Sequence, residues 1–309
     1  MKNWWHLIVK ALVFVLLFCL VDFCIGPLFV HAKDKALERH PSDMWLKSSY
    51  SVEKVDAECI IIGSSTAVHH YIPEEIERKT GLSTYNCGQD GCFFLYGCCM
   101  INSILERYSP KTIIMDLNPG RLLDSDKGDE YQNMRFLSYY YDDDAAVKNF
   151  IDGKDEQNEL LYHTNFYRYN SHAIYTFYPV FWGTSTEQGY VPLPYKGHNP
   201  RKKIQIGWDG NWVDSKLSEL YNTIDNCKKN GVELIIVTSP CYAEYEDSVM
   251  EKSEEFAEIL SSKGVKYINL LDTAPFNSDP SLYKTVTHLN AKGAAMMTDT
   301  IINVLRPAN

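Results

Sequence analysis

Three turns and one helix start in this sequence carry side chains that together could perform acyl chemistry. A serine-containing turn, Gly63-Ser64-Ser65, follows the apolar run Ile60-Ile61-Ile62, and a glycine-containing turn, residues 86–91, follows the next predicted strand. Asn118 follows a third apolar run, and His288 stands just before the last predicted helix. A serine hydroxyl attacks an acyl carbon when a histidine accepts its proton, and N–H donors stabilise the resulting oxyanion. This combination of residue types predicts serine-based ester chemistry.

Alternating strands and helices are expected to bring these residues to one edge of a sheet. Short β-branched runs predict five strands, at residues 58–62, 83–86, 112–117, 232–238 and 265–271. Helical patterns and stop signals predict five helices, at residues 73–80, 92–108, 212–229, 245–262 and 291–305. We therefore predict a flavodoxin-like three-layer α/β/α fold with a mostly parallel five-stranded sheet.

A long insertion interrupts this α/β domain, which is expected to cover residues 57–309. The insertion, at about residues 121–211, is rich in Tyr, Asn, Asp and Gly, and helices are expected near 143–151 and 158–169. Its aromatic side chains favour either a face that stacks on sugar rings or simple packing of the insertion onto the sheet. The aromatic residues considered are Tyr139, Tyr140, Tyr141, Tyr175, Tyr178 and Trp182.

The N-terminal residues predict a membrane-spanning helix. Apolar residues dominate from Leu7 to Val30, interrupted by Asp22, and about 20 such residues cross a bilayer. Residues 1–32 are therefore interpreted as an anchor, with a cleaved signal peptide as the alternative, and residues 33–56 as a stalk. One anchor before a large acidic domain favours a single-pass protein of the cytoplasmic membrane with its α/β domain on the extracytoplasmic side. Asp22 would then either contact another membrane protein or lie near the outer interface.

Composition excludes several other classes of protein. The chain has 309 residues and a net charge of −10, which disfavours binding to nucleic acid. Its nine cysteines show no disulfide or zinc spacing, and those at 87, 92, 98 and 99 are interpreted as buried packing residues. His69-His70 and Asp142-Asp143-Asp144 are more typical of solvated helix residues than of a metal site. No cofactor and no metal are expected.

The order of these motifs resembles that of the SGNH (GDSL-like) hydrolase superfamily. In that resemblance Gly63-Ser64-Ser65 takes the place of the G-D-S block, which implies that Ser65 is the nucleophile. The resemblance also implies an oxyanion hole formed by Ser65, Gly91 and Asn118, with His288 as the general base. It covers roughly residues 57–305, outside the insertion, and lacks the first glycine and last aspartate of the G-x-N-D block around Asn118.

The last block departs from the family pattern D-x-x-H. Thr285, and not an aspartate, stands three residues before His288. The acid normally fixes the tautomer of the histidine and stabilises the imidazolium. A backbone carbonyl or another acid, such as Asp279 or Asp272, is a possible substitute, and a weakened or inactive enzyme is the alternative.

Each motif also has an ordinary structural explanation. Ser64 or Ser65 could cap a helix, Asn118 could be a turn residue, His288 could be a packed core histidine, and the glycines could serve turn geometry alone. The joint appearance of the motifs in the order of the family favours a shared site.

Two functions from different classes follow from the resemblance. The first is a membrane-anchored serine esterase or acyltransferase that acts on an acylated glycan or another acyl ester. Its architecture is similar to that of D-alanyl transfer proteins and of polysaccharide O-acetylation proteins, which implies a membrane-bound O-acyltransferase as partner. The second is a catalytically inactive glycan-binding or assembly protein. A nucleotide-binding domain is disfavoured, because the turn at residues 63–65 lacks a G-x-x-G pattern and a P-loop lysine.

Overall fold

The computed structural model describes residues 2–126, 134–153, 161–169, 173–195 and 199–305. The chain divides into two compact units that interleave along the sequence. The first unit comprises residues 1–46 and 135–185, and the second comprises residues 47–134 and 186–309. The segment interpreted as a stalk, residues 33–56, therefore contributes to both units.

A five-stranded parallel sheet forms the centre of the second unit. Its strands are β1 (Cys59–Ile62), β2 (Thr84–Asn86), β3 (Thr112–Asp116), β5 (Glu233–Thr238) and β7 (Lys266–Asn269). The strand order is β2-β1-β3-β5-β7, and every neighbouring pair is parallel. The predicted α/β fold with a five-stranded parallel sheet is confirmed, and each strand lies within the range expected from the sequence.

The central strands are apolar on both faces because helices flank the sheet. All residues of β1 and β3 are buried. The helices of this unit are α2 (Lys47–Glu53), α3 (Ser65–His70), α4 (Pro73–Thr80), α5 (Phe94–Arg107), α9 (Asp214–Lys229), α10 (Asp247–Ser262) and α11 (Ala291–Leu305). Helix α5 packs against α2 and α9, whereas α11 packs against α3 and α4. Helix α11 thereby closes the core beside the start of α3.

Two further strands of this unit have no counterpart in the sequence-based prediction, and the helix expected after the serine turn is short. Strand β4 (Ile204–Ile206) pairs in parallel with β6 (Ala243–Tyr245), which forms a second, two-stranded sheet. The short helix α3 begins at Ser65, immediately after the β1 turn. These elements are three to six residues long, too short to show a clear hydrophobic period.

The first unit is helical in its described residues. Helix α1 (Lys2–Arg39) continues well beyond the predicted anchor, and it is long and apolar enough to cross a membrane. The insertion contributes α6 (Ala145–Asp152), α7 (Asn165–Tyr169) and α8 (Ala173–Phe181), together with a 3-10 helix at Met134–Tyr140. The expected helices near 143–151 and 158–169 correspond to α6 and α7, although residues 154–160 lie outside the described part of the chain.

Most of the insertion's aromatic side chains pack within this first unit. Tyr140 and Tyr141 are buried, and Tyr139 lies against Tyr169. The ring of Tyr175 likewise packs against the ring of Trp45. Of the six aromatic residues considered from the sequence, only Tyr178 and Trp182 are strongly exposed. Internal packing therefore accounts for four of the six.

Candidate active site

A crowded glycine turn presents Ser65 at the carboxyl end of β1. Gly63 has a φ of 152°, and a Cβ there would lie 2.8 Å from the carbonyl oxygen of Asp116 and 2.9 Å from the Cβ of Ala67. Only glycine fits this position, because a side chain would be both strained and blocked. The chain then turns sharply into α3, whose first residue is Ser65. The side chain of Ser65 is half-buried at the sheet edge.

The structure brings the predicted nucleophile and the predicted base into contact. The Oγ atom of Ser65 lies 2.8 Å from Nε2 of His288. His288 belongs to a tight loop in which the backbone N–H of Lys284 donates to the carbonyl of His288, just before α11. At this distance Nε2 can accept the hydroxyl proton as Ser65 attacks an acyl carbon.

Among the residues that the structure describes, two threonine hydroxyls and no carboxylate contact the other nitrogen of His288. The Nδ1 atom lies 2.9 Å from Oγ1 of Thr285 and 3.2 Å from Oγ1 of Thr287. A hydroxyl oxygen that accepts from Nδ1–H leaves Nε2 free to accept from Ser65. Thr285 therefore stands where the D-x-x-H pattern has its aspartate and can fix the tautomer without supplying a negative charge.

The two acids considered as substitutes bind elsewhere in the described structure. Asp279 accepts a hydrogen bond from the backbone N–H of Ser281 and lies 3.8 Å from the ammonium group of Lys292. Asp272 accepts from the side-chain amide of Asn277. The contacts of His288 among the described residues thus replace the expected acid with hydroxyl groups.

The electrostatic surroundings favour a neutral His288. Burial lowers the pKa of His288 below its ordinary value, and the charge of His69 lowers it further, whereas Asp90 raises it. The rings of His69 and His288 are 5.6 Å apart, and Nε2 of His69 lies 3.6 Å from a carboxylate oxygen of Asp90. A lowered pKa keeps the imidazole available as a proton acceptor at neutral pH.

The order of the sheet places the turns that follow β2 and β3 on either side of the turn that follows β1. Strand β1 lies between β2 and β3, so the turns that contain Gly91 and Asn118 flank the turn that contains Ser65. Gly91 has a φ of 71° in the turn after β2. Asn118 follows β3, is exposed, and accepts a hydrogen bond from the backbone N–H of Gly120 through Oδ1. That bond directs the Oδ1 side of the amide into the turn and leaves Nδ2 as the donor for a ligand.

A buried hydrogen-bond network links the serine turn to the histidine loop. The backbone N–H of Leu289 donates to Nε2 of His70, so Nδ1 of His70 carries the proton and donates to Ser239 Oγ at 3.1 Å. Ser239 in turn donates to the carboxylate of Asp116 at the end of β3. Burial lowers the pKa of His70 well below its ordinary value, which agrees with this neutral form.

The carboxylate of Asp116, at the end of the middle strand β3, accepts several hydrogen bonds of this network. Besides the Ser239 hydroxyl, it accepts from Thr66 and from Tyr71, both at 2.6 Å. Burial raises the pKa of Asp116, and the three hydroxyl donors oppose that rise. Because Thr66 adjoins Ser65 and Leu289 adjoins His288, the network fixes the backbone on both sides of the reacting pair.

The returning end of the insertion also contacts the site. The backbone N–H of Val191 donates to the carbonyl of Val68, and Nδ1 of His69 donates to the carbonyl of Val191 at 2.7 Å. Leu193 accepts from the backbone N–H of Ala291, the first residue of α11. Residues 191–193 therefore connect α3 to the start of α11.

Several of these residues were not identified from the sequence. His69 was interpreted as a solvated helix residue, but the structure buries it beside His288. Asp116 and Ser239 directly follow or end buried strands, which is the signal that could have pointed to them. Cys87, Cys92, Cys98 and Cys99 are buried, as expected of packing residues. Among the described residues, no group of three or more His, Cys, Asp or Glu side chains is arranged to hold a metal ion.

When the chain is compared with known proteins, it matches solved structures that are only distantly similar. No protein-family model and no curated protein matches the chain. A solved structure from Desulfitobacterium hafniense DCB-2, described as a lipolytic protein of the G-D-S-L family, is 9% identical with a TM-score of 0.44, over 80% of this chain and 98% of that chain. A structure from Bacteroides fragilis NCTC 9343, described as an acylhydrolase, is 10% identical with a TM-score of 0.38, over 80% of this chain and 88% of the other.

A carbohydrate acetylesterase family member from Sinorhizobium meliloti is similar at the same level. It is 11% identical with a TM-score of 0.35, over 80% of this chain and 97% of that chain. Likeness at these identities and TM-scores is too low to transfer an activity. The basis for a functional assignment is therefore the arrangement of Ser65, His288 and their neighbours.

Proposed function

We propose that this chain is a membrane-anchored, extracytoplasmic serine esterase or acyltransferase of the SGNH type. The observation that carries the proposal is the hydrogen bond between Ser65 Oγ and His288 Nε2, with Nδ1 of the same ring against Thr285. Nucleophile, base and orienting group thus form a continuous chain of contacts, which is the arrangement that activates a serine.

The first half of the reaction forms an acyl-enzyme. Ser65 Oγ attacks the carbonyl carbon of an acyl ester while its proton moves to Nε2 of His288. The backbone N–H groups of Ser65 and Gly91 and the Nδ2 group of Asn118 stabilise the oxyanion of the tetrahedral intermediate. The intermediate collapses as His288 returns the proton to the departing alkoxide, which leaves as an alcohol.

The second half reverses these steps with a new nucleophile. His288 removes a proton from water or from a sugar hydroxyl, which attacks the acyl carbon bound to Ser65. Ser65 then leaves and recovers its proton from His288. Water gives net ester hydrolysis, whereas a sugar hydroxyl gives acyl transfer, and the same residues serve both outcomes.

The presence of an N-terminal helix that could span a membrane favours an acylated cell-surface glycan as the substrate. Helix α1 is long and apolar enough to span a bilayer, with one window of mean hydropathy 2.7. A domain held at the outer face of the cytoplasmic membrane meets envelope polysaccharides more readily than it meets free metabolites. We propose an acetyl-type ester of such a glycan, and a membrane-bound O-acyltransferase as the partner that supplies or shares acyl groups.

Active-site labelling tests this proposal directly. The full chain, in detergent or nanodiscs, is treated with a fluorophosphonate probe, which reacts with activated serines. We expect labelling of the wild-type protein and its loss in Ser65→Ala and in His288→Ala. Ser64→Ala is the matched control, because it removes the neighbouring hydroxyl and leaves the proposed nucleophile in place.

Substrate screening then separates hydrolysis from transfer. Wild-type protein that has not been treated with the probe is incubated with acetylated polysaccharides, and released acetate is compared with acetate moved to an added acceptor glycan. Absence of labelling in a folded wild-type protein, or labelling that survives Ser65→Ala, contradicts the proposed catalysis.

A non-enzymatic assembly role is the second candidate. The observation that favours it is the hydroxyl of Thr285 in the position of the family acid, because a hydroxyl supplies no charge to stabilise an imidazolium. Such a protein would bind an acylated glycan without cleaving it. Glycan binding that persists in Ser65→Ala, together with no labelling of the wild type, distinguishes this role from catalysis.

A further inference from the structure

Within the first unit, the only acidic residue in the apolar part of α1 is paired with the insertion. Asp22 accepts hydrogen bonds from the backbone N–H groups of Asn165 and Phe166, at 3.1 and 2.7 Å, and from the side-chain amide of Asn165. These two N–H groups open α7, where a helix leaves its first donors without partners. The pairing therefore satisfies a carboxylate and a helix end that are both costly in an apolar medium.

The insertion follows α1 along its apolar side. Phe166 stacks on Phe18 with ring centroids 5.0 Å apart, and Phe29 packs against Tyr169 and Phe177 at 5.2 and 5.1 Å. The approach is close at Gly26, where a Cβ would lie 2.5 Å from Oδ1 of Asn165. These contacts place α7 beside the second half of the apolar run of α1, and α8 beside its end.

Helix α8 exposes a stripe of large apolar side chains. Ile174, Tyr178, Phe181 and Trp182 are 74%, 44%, 68% and 63% exposed. Their spacing of four, seven and eight residues from Ile174 puts them on one helical face, which we call the α8 stripe. The opposite side is buried at Thr176 and Pro179, and Phe177, at the edge of the stripe, contacts Phe29 of α1. Residues 161–182 contain only one Lys, Arg, Asp or Glu, namely Arg168, so the stripe is not part of a charged surface.

We propose that residues 161–169 and 173–182 enter the outer leaflet of the membrane beside α1, and that the α8 stripe is covered by lipid. Lipid is the expected partner because the exposed apolar surface of α1 is continuous with that of the insertion. None of the most apolar segment of α1 is buried in the protein, and α1 contacts the insertion through Phe18 and Phe29. A hydrocarbon layer of about 30 Å takes about 20 residues of helix. Counted from Trp4 and Trp5 as inner interfacial residues, that layer ends near Gly26.

If the hydrocarbon layer ends near Gly26, the insertion helices α7 and α8 have different surroundings. Phe166 contacts Phe18, which lies about 12 Å below the level of Gly26 at 1.5 Å per residue, so the start of α7 lies within the hydrocarbon layer. Helix α8 begins near Phe29 and extends through the headgroup layer, where Tyr and Trp are favoured. The first unit then contacts the membrane through α1, α7 and α8 together, and not through a single spanning helix.

Carbene labelling in a bilayer tests this proposal on the unmodified chain. The full protein is reconstituted in nanodiscs of phosphatidylcholine and phosphatidylglycerol, and a lipid-soluble aryl diazirine is photolysed. Labelled peptides are then mapped by mass spectrometry. We expect label in α1 and in residues 161–169 and 173–182, and none around Tyr195, which is 52% exposed in the second unit.

Fluorescence provides an independent measurement with matched variants. In nanodiscs that contain brominated lipid, tryptophan emission is compared for the wild type, Trp182→Phe and Trp212→Phe. We expect part of the lipid-dependent quenching to disappear in Trp182→Phe and to stay unchanged in Trp212→Phe, because Trp212 belongs to the second unit.

The outcomes separate this inference from the proposed anchor and from the proposed catalysis. Label confined to α1, with equal quenching in both variants, overturns the inference while the anchor stands. Absence of label in α1 overturns both the inference and the anchor. Neither result depends on the reactivity of Ser65, which is measured by the fluorophosphonate probe.

Discussion

Thr285 orients His288 through a hydroxyl and leaves it without a compensating charge. Its Oγ1 atom lies 2.9 Å from Nδ1, a normal hydrogen-bond distance. The ring can therefore start the reaction in the correct tautomer, but the imidazolium that forms during attack gains no carboxylate partner. In the proposed enzyme this position limits the rate.

Restoring the carboxylate is expected to increase activity. Thr285→Asp places a negative charge beside Nδ1, and a hydrogen bond to a charged group contributes about 1.5–3 kcal/mol. We expect kcat/KM for an acetyl ester to rise about tenfold to 100-fold, since about 1.4 kcal/mol corresponds to a factor of ten. The acid limb of the pH profile should also move to higher pH, because the new charge raises the pKa of His288.

Thr285→Val is the matched loss variant, since it keeps the shape and removes the hydroxyl. We expect its activity to fall below that of the wild type. Equal activity in the Asp, Thr and Val forms would contradict a role for this position in orienting His288.

The two ionisable neighbours of His288 predict pH shifts of opposite sign. His69 lowers the pKa of His288 and Asp90 raises it. Because His288 acts as a base only when neutral, the acid limb of kcat/KM follows its pKa. We expect His69→Gln to move that limb to higher pH and Asp90→Asn to move it to lower pH. The measurement is the pH dependence of kcat/KM for both variants beside the wild type, and shifts in the same direction would refute the assignment.

At the scale of elements, the buried network joins β3, β5, α3 and the histidine loop through one carboxylate. Ser239, just after β5, donates to Asp116 at the end of β3. We expect Ser239→Ala to lower the free energy of unfolding by about 1.5–3 kcal/mol, since it removes a hydrogen bond to a buried charged group. Chemical denaturation monitored by circular dichroism measures the change.

Ser253→Ala is the control for this prediction. Ser253 is equally buried, in α10, but its hydroxyl has no hydrogen-bond partner among the described residues. We expect its removal to leave stability unchanged or slightly improved, because a buried unsatisfied hydroxyl is unfavourable. A similar loss in both variants would show that the network is not specifically stabilising.

The pH dependence of the Ser239→Ala effect has a defined sign. Burial raises the pKa of Asp116, so the stability linked to its proton is complete below the unfolded pKa and is lost as pH rises through the folded pKa. Loss of the Ser239 hydroxyl disfavours the ionised form of Asp116. The decrease in the free energy of unfolding caused by Ser239→Ala should therefore be larger at pH 7 than in acid.

The elements that the sequence predicts well are those with a strong local pattern. The runs Cys59–Ile62 and Thr112–Asp116 are β-branched, apolar and bounded by turn residues, so burial on both faces was evident. The pairing of β4 with β6 depends on residues almost 40 positions apart and has no such local signal. Likewise, the burial of His69 depends on Val191, which lies 122 residues further along the chain, in the returning end of the insertion.

At the scale of the molecule, α1 is both the proposed anchor and a packing partner of the insertion. Removal of residues 1–32 would leave Tyr169 and Phe177 without the ring of Phe29. We expect a chain that starts at residue 33 to aggregate, because it uncovers a contiguous apolar surface. Size-exclusion chromatography of the secreted or refolded protein measures this.

A second truncated chain serves as the control. It starts at the same residue and carries Phe166→Ser and Phe177→Ser, which remove exposed rings from the former contact surface. We expect it to elute with a larger monomeric fraction. Equal and complete monomer in both truncated chains would mean that α1 contributes nothing to the solubility of the insertion.

The candidate site could be predicted in outline, because strand ends in a parallel sheet converge and the order of Ser65, Gly91, Asn118 and His288 matched a family pattern. The orienting group of the base could not be identified, since both an acid and a hydroxyl lay within reach along the chain. Only the folded loop shows that Thr285 takes that position.

The contact between Ser65 and His288 spans 223 residues and therefore has a consequence for biosynthesis. The nucleophile emerges from the ribosome 223 residues before the base, and α11 follows the base. In the proposed enzyme, a nascent chain that has not reached His288 would hold an ordinary, unreactive serine, and ester chemistry would begin only after α11 has been made and has docked. For a protein made beside the membrane that it is proposed to enter, such timing would protect acyl esters inside the cell from its own nascent chains.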